Sequence, residues 1–198
     1  MGDGQAMIRK ITGFSLFATA LLSLFPLACQ PGGVGDPCTP EDEYIDTFPG
    51  YAVKEVNVES KSFQCETRVC LVNHFQGRVS CKYGQADKGN NCTIPGTTTA
   101  IVPAVSPQIA TRTADKAVYC SCRCDGDDKN ARYCKCPSGY ACDHLVDDLH
   151  LGGAQLAGSY CVRDGTQYDA ATLDSTECAP TGWPATTGTP SCGTNTDS

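Results

Sequence analysis

Fifteen cysteines in 198 residues constrain this chain more than any other feature. Cys29 stands apart, because it follows the run Phe25-Pro26-Leu27-Ala28. The other fourteen are Cys38, Cys65, Cys70, Cys81, Cys92, Cys120, Cys122, Cys124, Cys134, Cys136, Cys142, Cys161, Cys178 and Cys192. An even remainder allows seven bridges, and a cysteine content of about 8% is that of a disulfide scaffold. Connectivity is open. If Cys120, Cys122 and Cys124 lie in one extended strand, all three point to one face. Bridges between such near neighbours strain the backbone. Their expected partners are therefore Cys134, Cys136, Cys142 and Cys161. Seven cysteines fall between 120 and 161, so at least one pairs outside that segment or stays free, with Cys38 or a member of the pair Cys178/Cys192 as the expected partner.

Export is written at the other end. Arg9 and Lys10 precede an apolar stretch, residues 11–28, which has the order of a basic n-region and an h-region. Met7-Ile8-Arg9-Lys10 offers a more compact start than Met1. The stretch is short for a bilayer span, holds Pro26 near its end and lacks a basic stop-transfer flank, which disfavours a retained anchor. Ending on Ala28-Cys29, it resembles a bacterial lipoprotein signal, with Pro26 where that pattern has Leu. The resemblance implies cleavage before Cys29 and acylation of its sulfur, including palmitate. Gln30 in place of an inner-membrane retention aspartate implies sorting to the outer membrane, facing periplasm or exterior. An ordinary cleaved signal is the alternative.

The expected organisation is a signal peptide at 1–28, a flexible acidic spacer at 29–43 and a small cysteine-clamped β subdomain at 44–92. A Thr/Pro/Ala-rich connector follows at 93–115, then a cysteine-rich core at 116–165 and a Thr/Gly/Pro-rich tail at 166–198. The expected fold is small, disulfide-rich and mainly β, with short antiparallel strands. Val69-Cys70-Leu71-Val72 and Arg78-Val79-Ser80-Cys81 read as strands joined by a turn at 73–77. Thr99-Ala100-Ile101-Val102 has strand character, which the nearby prolines oppose. Ala117 to Cys124, Tyr133-Cys134-Lys135-Cys136 and Gly158 to Val162 also read as strands. Ala141, Leu145, Val146 and Leu149 recur at helical spacing, predicting one short helix near 141–150.

Two further resemblances bear on this reading. Cys134-Lys135-Cys136-Pro137-Ser138-Gly139-Tyr140 resembles the closing hairpin of an epidermal-growth-factor-like module. The match covers seven residues, and the upstream C-x-C-x-C spacing departs from that family. Gly35-Asp36-Pro37-Cys38 with Glu41-Asp42-Glu43, and Phe63-Gln64-Cys65 to Val79-Ser80-Cys81, form one part of a broader pattern. Tyr119 to Cys124 and Leu156 to Val162 complete it. Together they resemble uncharacterised cysteine-rich lipoproteins of myxobacteria and their relatives, which imply no particular activity.

Chemistry has few footholds. Cys122, Cys124, Cys134 and Cys136 are zinc-ligand types, but their C-x-C spacings are tight for one tetrahedral centre, and bridging is expected instead. Asp125, Asp127, Asp128 and Asn130 offer calcium-type oxygens. Lys129 breaks the ordered loop pattern and its Gly is missing, so a solvated turn is expected. His144 and His150 do not share one helix face. No G-x-S-x-G, H-E-x-x-H or phosphate-cradling glycine loop occurs. No cofactor is expected, and whether the chain is an enzyme is left open. Losing Arg9, Lys10 and Asp3 with the leader moves the formal charge from −7 to about −8, which disfavours nucleic acid as a partner. The expected partners are the membrane, through the lipid, and an envelope protein or glycan. Tyr51, Phe63, Phe75, Tyr133, Tyr140, Tyr160 and Trp183 are candidate contact residues. A secreted hydrolase or accessory enzyme subunit is the rival expectation; a concave pocket with converging His and Asp side chains would favour it.

Overall fold

The computed structural model describes residues 31–85, 92–148, 155–170 and 192. Met1–Gln30 form a separate unit outside the described residues.

Two small antiparallel sheets and one short helix make up the described body, which is the small, disulfide-rich, short-stranded class expected. The first sheet has β1 (Val56–Glu59), β2 (Val69–Asn73) and β3 (Val118–Ser121) in the order β1-β2-β3. The second has β4 (Arg123–Asp125), β5 (Tyr140–Val146) and β6 (Gly158–Arg163) in the order β4-β6-β5. The helix α1 is one turn, Ala114–Ala117. Val69, Val72, Val118 and Tyr119 supply the β-branched and aromatic character that suits a pleated, half-buried surface. Thus β3, from beyond the Thr/Pro/Ala-rich stretch, pairs with β2, from before it, with Leu71 opposite Tyr119.

Several local expectations are corrected. The helix near 141–150 is instead the strand β5; Leu149 and His150 lie outside the described residues. Its helical spacing is overridden by pairing with β6, which sets Cys142 opposite Cys161 and His144 opposite Ser159. Arg78 to Cys81 is a tight turn closed by Cys81 N–H donating to Arg78 O at 3.1 Å, because Arg78 turns inward rather than joining a ladder. Tyr133 to Cys136 is not a return strand, since β6 occupies the place beside β4. Thr99 to Val102 is irregular, held by the Thr93–Ala100 bridge.

The expected flexible spacer is folded from residue 31 onward. Residues 35–37 lie along the free edge of β3: Gly35 N–H donates to Cys120 O, and Cys120 N–H donates to Asp36 O, each at 2.8 Å. A 3₁₀ turn, Glu41–Tyr44, then carries Glu43 into the interior. Both Glu43 and Arg78 are 0% exposed and pair at 3.3 Å. Val79 N–H and Ser80 Oγ–H each donate to the Glu43 carboxylate at 2.7 Å. Arg78 in turn donates to the carbonyls of Glu43, Ile45 and Phe48.

Polar side chains do the same work in the segment 93–115, where Ile101, Val105 and Ile109 are buried without a continuous strand. Gln85 Nε2 donates to Ile101 O at 2.7 Å and Gln108 Nε2 to Arg78 O at 2.9 Å. Arg112 donates to the carbonyls of Asn73, His74 and Thr166. Buried loops need such partners, because an unpaired buried carbonyl is costly. Burial lowers the Arg112 pKa.

Tyr51, Tyr119 and Tyr160 all have pKa values raised by burial; at Tyr51 the neighbouring Asp42 and Glu43 raise it further. In the unfolded chain a phenol ionises near pH 10. Above that pH the unfolded state loses protons that the folded state retains, so stability is full below about pH 10 and falls as pH rises. Urea midpoints between pH 8 and 11 check this, with Tyr51→Phe expected to flatten the alkaline fall.

Candidate functional site

Of the candidate cysteines, twelve pair with one another: Cys38–Cys70, Cys65–Cys120, Cys81–Cys92, Cys122–Cys134, Cys124–Cys142 and Cys136–Cys161. Cys192 is disulfide-bonded as well. Cys29 and Cys178 lie outside them. The four zinc-type candidates are therefore each committed to a bridge. The cysteine of 120–161 that pairs outside that segment is Cys120, and its partner is Cys65 rather than Cys38 or the C-terminal pair.

One rule governs both sheets. Cys70 lies opposite Cys120 and Cys142 lies opposite Cys161, yet neither pair bonds to itself. Each of these cysteines reaches instead to another segment of the chain. Three of these bridges fasten other segments to the sheets, and the fourth, Cys124–Cys142, ties β4 to β5 across the intervening β6. The sulfurs consequently crowd: Cys161 Sγ lies 3.6 Å from Cys122 Sγ and 3.7 Å from Cys134 Sγ.

Access differs along this stack. Cys142 is exposed, whereas Cys65, Cys70, Cys120 and Cys161 are 0% exposed. Thiol–disulfide exchange requires access to sulfur. Limited reduction of the folded protein is therefore expected to open Cys124–Cys142 first and Cys65–Cys120 among the last. Trapping thiols by alkylation and mapping the labelled peptides checks the order.

The second sheet also carries an open cleft of about 370 Å³, lined in part by Asp125, Asp127, Asp128, His144, Asp148 and Ser159. It brings together two groups that sequence reading kept apart, the 125–128 turn and His144. Gly158 permits the approach: at φ +128°, a Cβ there would lie 2.3 Å from Asp125 O. Asp125 Oδ1 accepts from Gly126 N–H at 2.8 Å and Asp128 Oδ1 from Asn130 N–H at 2.9 Å. Those carboxylates thus stabilise their own turn. His144 Nε2 lies 2.9 Å from Asp147 Oδ1, with side chains 60% and 84% exposed. Ser159 lies opposite His144 on the ladder, but among the described residues no side-chain hydrogen bond joins them.

The candidate contact aromatics divide sharply. Tyr51, Phe75 and Tyr160 are buried, Tyr133 and Tyr140 half-buried, and Trp183 lies outside the described residues. Phe63 is 79% exposed, with the Arg68 guanidinium 4.0 Å above its ring. Sequence reading named Phe63 but missed Arg68, since a five-residue spacing in a loop carries no contact signal. The pair Glu43–Arg78 was missed for the same reason, 35 residues apart.

Fold and site together define a disulfide-stapled β module with an open acidic cleft and a strongly exposed aromatic, Phe63. No family, curated protein or solved structure matches the chain.

Proposed function

We propose that this is a lipid-anchored protein of the bacterial envelope, sorted to the outer membrane. Its body acts there as a structural or binding module for an envelope protein or glycan. The observation that carries this reading is that every described cysteine is disulfide-bonded, which fits an oxidising compartment. Cysteine bookkeeping supports the anchor. Twelve described cysteines pair among themselves and Cys192 is bonded as well, and setting Cys29 aside leaves an even fourteen in the chain. Cys29, following Ala28 at the end of the apolar run, has the context for acylation. Two or more acyl chains give firm anchoring where one gives marginal binding.

Intact mass of the membrane-extracted protein, with a non-reducing digest, tests the reading. The expected result is acyl mass on an N-terminal Cys29 and a Cys178–Cys192 peptide. An unacylated chain, or a Cys29–Cys192 peptide, would sink it.

The cleft favours a second reading, a secreted hydrolase, because it holds His144 opposite Ser159 on the ladder, and Asp147, just past the end of β5, pairs with His144. That reading requires ester or amide hydrolysis lost in both Ser159→Ala and His144→Ala. Activity unchanged in either variant removes it.

A further inference from the structure

We infer that the loop 60–68 is the membrane-contacting surface of this protein, with Phe63, Arg68 and Lys61 seated at the headgroup level of the bilayer that holds the Cys29 lipid; this rests on the lipid-anchor reading. Gly32 N–H donates to Gln64 O at 2.7 Å, and Glu66 N–H donates to Gly32 O at 2.9 Å, so Gly32 is fixed beside Cys65. Cys29 is three residues upstream, and three extended residues span at most about 11 Å. No flexible spacer intervenes from residue 31, so an acyl chain on Cys29 enters its bilayer close to this loop.

The loop's chemistry fits that position. Among the described residues, Phe63 is the most exposed of the large hydrophobics, at 79%. It does not protrude through slackness. Ser62 N–H donates to Arg68 O at 3.0 Å and Arg68 N–H to Cys65 O at 2.9 Å, closing the loop on itself. Cys65 at its centre is buried and bonded to Cys120. Arg68 holds a left-handed backbone, φ 65°, and lies over the Phe63 ring. A rigid loop thus presents an aromatic ring flanked by two exposed cations, with Glu66 its one acid, on a chain of formal charge −7. Aromatic rings favour the membrane–water interface, and lysine and arginine are drawn to anionic headgroups.

The test uses the acylated full chain with Phe63→Trp, its acylation verified by intact mass. The protein is reconstituted into vesicles of equal parts phosphatidylethanolamine and phosphatidylglycerol, and wild type supplies the Trp183 baseline. The same substitution with Cys29→Ser, exported without lipid, is the aqueous reference. The expected result is blue-shifted emission from the new tryptophan, quenching by brominated lipid and protection from iodide, all lost in the reference. Acylated protein whose new tryptophan behaves as in the reference overturns the inference and leaves the anchor intact. Protein without acyl mass overturns the anchor reading and this one with it. Hydrogen exchange of the 60–68 amides in wild type, vesicle-bound against unlipidated, decides the same question if the variant does not accumulate: protection supports the contact, and unchanged exchange overturns it.

Discussion

Glu43→Ala is expected to lower the unfolding free energy by about 3–5 kcal/mol, the cost of leaving a buried charge without its partner. Arg78 stays 0% exposed in the native packing and keeps its bonds to the Ile45 and Phe48 carbonyls, but loses the carboxylate 3.3 Å away. The N–H of Val79 and the hydroxyl of Ser80 lose their acceptor as well. For many buried ion pairs an apolar double replacement is close to neutral. Here Glu43→Leu with Arg78→Met should remain strongly destabilising, because it orphans backbone groups on both sides. Urea unfolding of the two single variants and the double gives the comparison. A double variant as stable as wild type would show that the backbone groups find other partners.

Removing the Cys65–Cys120 bridge by Cys65→Ala with Cys120→Ala is expected to cost about 4 kcal/mol from loop entropy alone. It closes a loop with a sequence separation of 55, the longest among the described bridges. Cys81–Cys92, with a separation of 11, should cost about 3 kcal/mol on the same basis. All four cysteines are buried, so truncation leaves a cavity in either variant and the difference between the two reports loop closure. Melting temperatures of the two double variants under identical buffer provide the check. Equal losses would place the stabilisation in native-state packing rather than in loop closure.

Both predictions concern contacts that no local pattern announces. Glu43 reads as one acid in a polar run, Glu41-Asp42-Glu43, and an acidic run next to Pro and Gly has every local mark of a spacer. Only the arrival of Arg78, 35 residues on, turns it into an interior anchor. The strand β5 shows the opposite failure. Ala141, Leu145 and Val146 fit a helical period, but seven residues are too few for periodicity to decide. Pairing with β6 and the bridge from Cys142 to Cys124 decided it. Likewise the acidic turn and His144 looked unrelated in sequence, because the cleft exists only once β5 and β6 are side by side.

What the sequence by itself determined is the material: a cysteine-rich chain with little bulky apolar content, short β-branched runs, and a basic-then-apolar start ending at Cys29. Those properties depend on composition and local order, and they set the disulfide-rich, short-stranded class. The tertiary structure decided the pairing of the cysteines, the folding of 31–44 onto the body, the strand at 140–146 and the outward ring of Phe63. Each of these depends on residues far apart in the chain meeting at a few ångströms. A single sequence encodes such distances only through the whole fold, since many pairings satisfy the same local preferences and close packing selects among them.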